Sequence, residues 1–394
     1  MPTVLSLFSG AGGMDLGLEG GFNVLERSIN HEINPRWVEA SYPNGWVRLA
    51  PTGFKTHFAN DINPAAKAQW NGFFFNRIGV DVYCQNSIVD LVKEHKSKDC
   101  LIPYADVVIG GFPCTDFSLS GKRKGINSDK THAGDKMDKD TPQIESRGML
   151  YFWMKEVIEI VKPKVFIAEN VDGLNSLPEV MRKIRKDFEE VGYDVKVKTM
   201  YAPDYGIPQT RTRVIFVGLR KDVKFSGKFE YPEKTHSNYG DVLFGPKLLP
   251  YVTCSEAFLG LQEPGLSEDI SQNSFSGASY YGTSKSGKSM QGQIEIPLDA
   301  PGPTIRAEHH GNIEFRRLSA EHGGKHTEEL ALGLKERRLT VRECARLQTF
   351  PDDYQFVTPE ISTTKGYIGV GNAVPPLLAY HIAQKLKEIW PKDV

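Results

Sequence analysis

The chain opens on a short apolar run, Val4 to Phe8, that passes directly into the glycine-rich sequence Ser9-Gly10-Ala11-Gly12-Gly13. A strand that enters a glycine turn and then a helix is the usual start of a doubly wound nucleotide-binding sheet. Similar strand-like runs recur at 54–59, 107–109, 165–168 and 214–218. Between them, residues 149–161 carry apolar side chains at helical spacing. This alternation predicts an α/β fold with a doubly wound, mostly parallel sheet.

The alternation stops near Leu219, where the sequence becomes rich in Gly, Ser and Pro. We therefore predict a first domain at 1–218 and a smaller, irregular domain at 219–336. A further insertion is predicted within the first domain, roughly from Asn23 to Thr52.

Regular signals return after the irregular region. Thr340 and Glu343 fit a capping box at the start of a helix, and a final helix is predicted at 376–389. Residues 337–394 are thus expected to return to the first domain.

Composition and charge limit the classes of protein to which the chain can belong. The 394 residues are 40% hydrophobic and 25% charged, as in soluble globular proteins, and exceed the size of one ordinary core. No apolar run is long enough to cross a membrane and no secretory signal is found, which favours the cytoplasm. The formal net charge of -1 argues mildly against a nucleic-acid partner. A large enzyme can nevertheless confine its positive charge to one cleft.

The five cysteines are scattered without a CxxC pair, so neither a disulfide framework nor a metal site is expected. Cys114 differs from the others because it follows an apolar strand and the sequence Gly110-Gly111-Phe112-Pro113. Open α/β sheets bind their ligands at this carboxyl edge. A cysteine there can act as a nucleophile when its thiol is ionised. The alternative is a buried structural cysteine.

Two further strands bring ionisable side chains to the same edge. One delivers Glu169, which can serve as a general acid when buried; a helix-capping or salt-bridged glutamate is the alternative. Another strand follows Gln209-Thr210-Arg211-Thr212-Arg213, and alternation places Arg211 and Arg213 on one face. Paired guanidinium groups suit an anionic ligand or a carbonyl oxygen. The alternative is a solvated strand edge.

The glycine turn does not have the G-x-G-x-x-G spacing of dinucleotide sites, which favours a phosphate-free nucleoside. An acidic residue after the second strand should bind the ribose hydroxyls. Asp61 in FANDINP and Glu32 in NHEINP are the candidates. We favour Asp61, because it follows the more strand-like run and precedes Asn63-Pro64, which resemble a helix start.

Together and in this order, the motifs resemble those of the DNA cytosine-5 methyltransferase family of the bacterial restriction–modification type. They are LFSGAGGMDLG, FANDINP, GGFPCTDFS, AENV, QTRTRVIFVG, RRLTVRECARLQTFPDDY and GYIGVGNAVP. The resemblance spans nearly the whole chain except about 219–300. It implies a Rossmann-like fold, S-adenosyl-L-methionine as the cofactor and double-stranded DNA as the substrate.

The resemblance implies cofactor-binding roles for the positions that match the family's motifs. Phe8 matches the aromatic residue that contacts the adenine, and Asp61 matches the ribose-binding acid. The other implied cofactor residues are Gly10, Gly12, Gly13, Ile62, Ser87, Ile88, Pro113, Leu150, Asn372 and Ala373. Ser87 is a departure, because the family has an acid there that accepts from the adenine amino group.

The resemblance also implies a mechanism. Cys114 matches the nucleophile that attacks carbon 6 of cytosine and makes carbon 5 enamine-like. Glu169 matches the residue that binds the N3 and N4 edge, and Arg213 with its companion Arg211 matches the group that stabilises charge at O2. The base must leave the duplex to be reached. Thr115 stands where the family usually has Gln after the nucleophile.

Residues 219–336 correspond to the family's target-recognition domain. They carry more acidic than basic side chains, so a few placed residues must contact DNA. We expect Arg306 to bind a guanine through O6 and N7, and Arg316 and Arg317 to contact phosphates. The other predicted DNA-binding residues are Ser118, Lys122, Arg123, Gln209, His309, His310 and Asn312.

Three other functions are weighed against this one. An RNA cytosine-5 methyltransferase would carry a more compact recognition region, and a catalytically inactive DNA-binding paralogue would not need Cys114, Glu169 and Arg213. An NAD-binding oxidoreductase is disfavoured by the glycine spacing. We expect a monomer that is paired in function with a cognate restriction endonuclease.

Overall fold

The computed structural model describes residues 1–98, 102–112, 150–239, 247–282, 292–307 and 313–391. Its first part contains β1 (Thr3–Leu7), α1 (Gly13–Glu19), β2 (Asn23–Leu25), β3 (Val38–Ser41), β4 (Trp46–Leu49), β5 (Lys55–Asn60), α2 (Pro64–Ile78), β6 (Tyr83–Cys84), α3 (Ile88–Lys98) and β7 (Val107–Gly111). Next come α4 (Leu150–Val161), β8 (Val165–Val171), α5 (Pro178–Glu190), β9 (Tyr193–Tyr201) and β10 (Thr212–Arg220).

The remaining elements are shorter, apart from two helices near the end. They are β11 (His236–Ser237), β12 (Leu249–Pro250), α6 (Cys254–Ala257), β13 (Phe315–Arg317), α7 (Glu328–Ala331), β14 (Arg337–Arg338), α8 (Val341–Leu347), α9 (Thr363–Asn372) and α10 (Pro376–Ile389).

The centre of the described fold is a seven-stranded sheet in the order β6-β5-β1-β7-β8-β10-β9. The first five strands are parallel, whereas β10 runs antiparallel to both β8 and β9. The prediction of a mostly parallel α/β sheet is therefore confirmed. Chain order reverses at β1, which lies between β5 and β7, and such a switch point opens a crevice at the carboxyl ends of the strands.

Both faces of the sheet are buried, as the continuous apolar strands require. Alternate residues of β1 enter different cores: Val4 packs with α1, α2 and α10, whereas Leu5 and Leu7 pack with α3, α4 and α5. The helices therefore cover the sheet from both sides and leave its carboxyl edge open.

The predicted C-terminal helix at 376–389 is confirmed as α10, and it packs directly on α1. Glycine makes this contact close, because a Cβ at Gly17 would lie 2.2 Å from the carbonyl oxygen of Pro376. The capping box is also confirmed. The Thr340 hydroxyl accepts from the Glu343 amide, and the Glu343 carboxylate accepts from the Thr340 amide.

The predicted insertion forms a separate three-stranded sheet in the order β2-β4-β3. Trp37 packs edge-on against Tyr380 and His381 of α10, with ring centroids 5.1 Å and 4.6 Å away. Asn30 donates from its amide to the carbonyl oxygens of Thr235 and Lys247. The insertion thus contacts both the last helix and the start of the irregular region.

Among the helices of the described residues, none combines the length and the apolar character needed to cross a membrane.

Candidate active site

A cavity of about 390 Å³ lies at the carboxyl edge of the sheet, at the switch point beside β1. It collects thirteen of the residues that the sequence singled out: Phe8, Gly10, Gly13, Asp61, Ile62, Ser87, Ile88, Leu150, Glu169, Arg211, Arg213, Asn372 and Ala373. The cavity is therefore built from the two ends of the chain together with four central strands.

The turn after β1 needs an unusual backbone. Phe8, Gly10 and Gly12 all have positive φ angles, of 51°, 53° and 73°. A Cβ at Gly10 would meet no described atom closer than 4.0 Å, so this glycine leaves its space to the cavity. Gly12 has a packing role instead, since a Cβ there would lie 2.6 Å from the Trp70 ring.

Asp61 lies at the end of β5, where its carboxylate is held by backbone amides. Its Oδ2 accepts from the Gly10 amide at 3.2 Å, and its Oδ1 accepts from the Asn63 amide at 2.9 Å. Burial raises the pKa of Asp61 despite these hydrogen bonds. The rival candidate, Glu32, is an exposed residue of the insertion and does not line the cavity. The placement supports Asp61 as the ribose-binding acid.

The lining fits a phosphate-free nucleoside that carries a positive charge. Asp61 offers an anchored acceptor beside the glycine turn, and Ile62 next to it keeps 46% of its surface exposed as an apolar platform. Ser87 also lines the cavity, and its Oγ accepts from the Val89 amide at the start of α3. Ser87 therefore supplies a hydroxyl, and no carboxylate, at this position.

Glu169 and Arg213 meet at the far end of the cavity. Glu169 is near the end of β8 and Arg213 near the start of β10, and their Oε1 and Nε atoms are 2.7 Å apart. Both side chains are only 11% exposed. A Cβ at Gly111 would lie 2.7 Å from Glu169 Oε2, so β7 ends beside this ion pair. Cys114, three residues beyond Gly111, lies outside the described residues, as does Pro113.

Arg211 and Gln209 are both buried, and both form hydrogen bonds with main-chain atoms of other segments. Arg211 donates to the carbonyl oxygens of Ile305, Gly371 and Ala373 at 2.9–3.0 Å. Gln209 was predicted to contact DNA, but it is 0% exposed and binds the backbone of Leu347 and Ile305. Gln209 therefore has a structural role here, and a contact with DNA would require it to leave these bonds.

Arg316 and Arg317, predicted to contact phosphates, are both paired with acidic side chains in the structure. The Arg317 side chain is only 1% exposed and forms ion pairs with Glu263 and Glu329. Arg316 also pairs with Glu329, at 2.6 Å. A phosphate contact would require both arginines to leave these carboxylates. A pattern of two adjacent basic residues cannot show whether acidic partners arrive from elsewhere in the chain.

Arg306 is exposed at the end of a described segment, as a DNA-contacting residue must be. The remaining predicted DNA contacts lie outside the described residues. They are Ser118, Lys122, Arg123, His309, His310 and Asn312.

Sequence reasoning missed several polar residues of the cavity. Asp15 in the first turn of α1 lines it, accepts a hydrogen bond from the Ser6 hydroxyl at 3.0 Å, and has its pKa raised to about 7 by burial. Asn60 and Gln69 line it as well. An acidic residue inside the apolar helix sequence GMDLGLE was the available signal for Asp15.

Comparison with known proteins agrees with this geometry. The family model of the C-5 cytosine-specific DNA methylase matches residues 2–388. The chain is similar to the Type II methyltransferase M.BspRI of Lysinibacillus sphaericus, with 33% identity over 98% of this chain and 81% of the relative. It is also similar to the Type II methyltransferase M.NgoFVII of Neisseria gonorrhoeae, with 30% identity over 99% of this chain and 87% of the relative.

Solved structures show the same fold. The Dnmt2 methyltransferase of S. pombe is 19% identical with a TM-score of 0.57, covering 98% of this chain and 99% of that one. The methyltransferase EhMeth of Entamoeba histolytica is 15% identical with a TM-score of 0.58, covering 98% of both chains. The prediction of a Rossmann-like methyltransferase fold is confirmed.

Proposed function

The chain belongs to the C-5 cytosine-specific DNA methylase family, and from this premise we propose that it methylates a specific DNA site by covalent catalysis on a flipped cytosine. It is a DNA (cytosine-5) methyltransferase that uses S-adenosyl-L-methionine. The observation that carries the covalent proposal is the Glu169–Arg213 ion pair, which stands at one end of the cofactor cavity beside the end of β7.

The cofactor supplies an electrophilic methyl group when it is bound. Asp61 would hold its ribose hydroxyls, and Phe8 with Ile62 would contact the adenine. The other cavity residues proposed to hold it are Gly10, Gly13, Ser87, Ile88, Leu150, Asn372 and Ala373. Gly12 contributes by packing on Trp70, which shapes the turn.

The proposed chemistry begins with the thiolate of Cys114. It adds to carbon 6 of the cytosine, and the displaced π electrons move toward N3 and O2. N3 and O2 lie on the same side of the pyrimidine, and Glu169 and Arg213 are neighbouring groups. Glu169 donates to N3 once it has taken up a proton, and Arg213 donates to O2. Carbon 5 then has the electron density that methylation requires. Loss of the proton from carbon 5 afterwards expels the cysteine and restores the ring.

A trapping experiment tests this chemistry. Duplex DNA that contains 5-fluorocytosine should form a lasting adduct with the enzyme, because fluorine at carbon 5 cannot leave as a proton does. Peptide mass spectrometry should locate the adduct on Cys114. Cys114→Ala should abolish both the adduct and methyl transfer while leaving cofactor binding nearly intact. An adduct on another cysteine, or none with active enzyme, would overturn the mechanism.

We also propose that residues 219–336 recognise the target sequence and that Arg306 contributes to reading it. Arg306 is exposed, and a guanidinium can bind guanine O6 and N7 with about 1–3 kcal/mol of discrimination. Bisulfite sequencing of a random-site library should show that Arg306→Ala relaxes one position of the methylated site. If Arg306→Ala kept full activity and an unchanged site profile, Arg306 would not be a residue that reads the DNA sequence.

The relatives carry the name Type II methyltransferase, which supports a restriction–modification role. We propose that the enzyme protects DNA from a cognate endonuclease and acts as a cytoplasmic monomer. DNA from cells that express it should resist a nuclease cutting at the methylated site, and light scattering should give the mass of one chain. Transfer of labelled methyl groups to tRNA instead of duplex DNA would contradict the DNA role.

A further inference from the structure

Arg211 lies at a junction of three parts of the chain. It is 1% exposed, and it precedes β10, the strand that carries Arg213. One guanidinium nitrogen donates to the carbonyl oxygen of Ile305 at 3.0 Å. The other donates to the carbonyl oxygens of Gly371 and Ala373, at 3.0 Å and 2.9 Å. Arg211 therefore holds two distant segments of the backbone together.

One of these segments is a wall of the cofactor cavity, which Gly371, Asn372 and Ala373 all line. The other segment leads directly to Arg306, whose side chain is exposed. The two backbones are in direct contact, because a Cβ at Gly371 would lie 2.3 Å from the carbonyl carbon of Arg306. A shift of either segment must therefore displace the other.

Gln209 completes the junction from the other side of the same segment. Its Oε1 accepts from the Ile305 amide at 3.0 Å, while Arg211 binds the Ile305 carbonyl oxygen. The Thr210 amide donates to the Gly302 carbonyl oxygen at 2.7 Å. Both polar main-chain groups of Ile305 are thus bound by side chains next to the catalytic strand. Charged donors make the stronger of such bonds, which places Arg211 at the centre of the junction.

We propose that Arg211 is a positioning residue that links cofactor binding to DNA binding. A cofactor that fixes the wall at 371–373 also fixes, through Arg211, the segment that presents Arg306. Each ligand then strengthens the binding of the other, as thermodynamic linkage requires. This inference rests on the proposed role of Arg306 in reading DNA.

The test measures the dissociation constant for a short duplex that carries the enzyme's target sequence, with and without saturating S-adenosyl-L-homocysteine. The ratio of the two constants is the coupling. We expect S-adenosyl-L-homocysteine to tighten DNA binding by a factor of about 5 to about 100 in the wild type. Arg211→Lys keeps the positive charge but has fewer hydrogen-bond donors, so it should lower the coupling ratio. Arg211→Met should bring it close to one and broaden the methylated site profile.

Arg338→Lys is the matched control. Arg338 is also a buried arginine that donates to backbone carbonyls, those of Ala278, Ser279, Gly292 and Ile313. None of these four residues lines the cofactor cavity. Its replacement should lower the melting temperature as Arg211→Met does, yet keep the wild-type coupling ratio. A lower ratio in Arg338→Lys would mean that coupling reflects general stability, and would overturn the inference.

Two other results would also overturn it. They are a wild-type ratio of one, and a folded Arg211→Met enzyme that keeps the wild-type ratio. Arg306→Ala separates this inference from the proposed function. If Arg306→Ala leaves the site profile unchanged, the reading role fails, whatever the coupling ratio of the Arg211 variants.

Discussion

At the scale of single residues, Asp15 is a buried carboxylate whose charge the fold opposes. Burial, with a smaller contribution from the nearby Glu19, raises its pKa to about 7, although the Ser6 hydroxyl donates to it. Because the pKa of Asp15 is higher in the folded than in the unfolded protein, protonation of Asp15 favours the folded state. Asp15 therefore stabilises the protein below its unfolded pKa of about 4, and this contribution is lost as pH rises to about 7.

Asp15→Asn should remove this pH dependence. We expect the variant to exceed the wild type in unfolding free energy by a few kcal/mol near pH 8 and by less near pH 5, since one pKa unit corresponds to about 1.4 kcal/mol. Urea denaturation at both pH values measures the difference. An equal difference at both pH values would show that folding does not raise the pKa of Asp15.

Asp61 gives a second test at this scale. Asp61→Ala should weaken S-adenosyl-L-methionine binding by about 1–3 kcal/mol, because polar partners in the cavity lose their acceptor. Glu32→Ala, at the exposed rival position, should have a smaller effect. Isothermal calorimetry gives both values. The reverse order would place the ribose-binding acid in the insertion.

Sequence reasoning placed a residue well when its position followed from a strand end. Asp61, Glu169 and Arg213 all lie at the carboxyl edge of the sheet, and the topology alone brings them to one cavity. It did not predict the partners of Gln209 and Arg317, because those partners come from segments far along the chain. Local pattern shows which side chains share a face, and it does not show what packs against that face.

At the scale of elements, the contact between α1 and α10 depends on a missing side chain. Gly17→Ala would place a Cβ 2.2 Å from the Pro376 carbonyl oxygen, which forces the helices apart. We expect it to lower the unfolding free energy by about 1–3 kcal/mol, as overpacking does. It should also weaken cofactor binding, because Gly13 and Asp15 of α1 line the cavity.

Gly72 in α2 offers the matched control for Gly17. It is exposed, and a Cβ there would meet no described atom within 4 Å. Gly72→Ala should stabilise the protein by up to about 1 kcal/mol through helix propensity. Chemical denaturation compares the two variants. Equal effects of the two substitutions would show that helix propensity, and not the helix contact, decides the outcome at Gly17.

The elements themselves could be predicted where local signals are strong. The capping box at Thr340 and the final helix at 376–389 were predicted correctly, because helix signals lie within a few turns of the chain. The antiparallel pairing of β9 with β10 was not predicted. Strand direction within a sheet depends on long-range pairing, which the period of two along a strand does not encode.

At the scale of the whole molecule, both ends of the chain build the cofactor cavity. Gly10 and Asp61 come from its first part, and Asn372 and Ala373 from its last. Saturating S-adenosyl-L-homocysteine, at about a hundredfold excess over its dissociation constant, should stabilise the entire fold by about 2.7 kcal/mol. Differential scanning calorimetry should show one transition that moves upward. Methionine at the same concentration should not move it, and a transition that splits in two would contradict a single cooperative unit.

The junction at Arg211 has one more property: five hydrogen bonds join Arg211 and Gln209 to main-chain atoms of other segments. Such bonds do not depend on which side chains the partner segments carry. Residues 219–336, for which we propose target recognition, can therefore change their sequence, or be exchanged for those of a relative, without redesign of the catalytic strand. A connection through main-chain hydrogen bonds would let a lineage acquire new target sites while its catalytic residues stay the same.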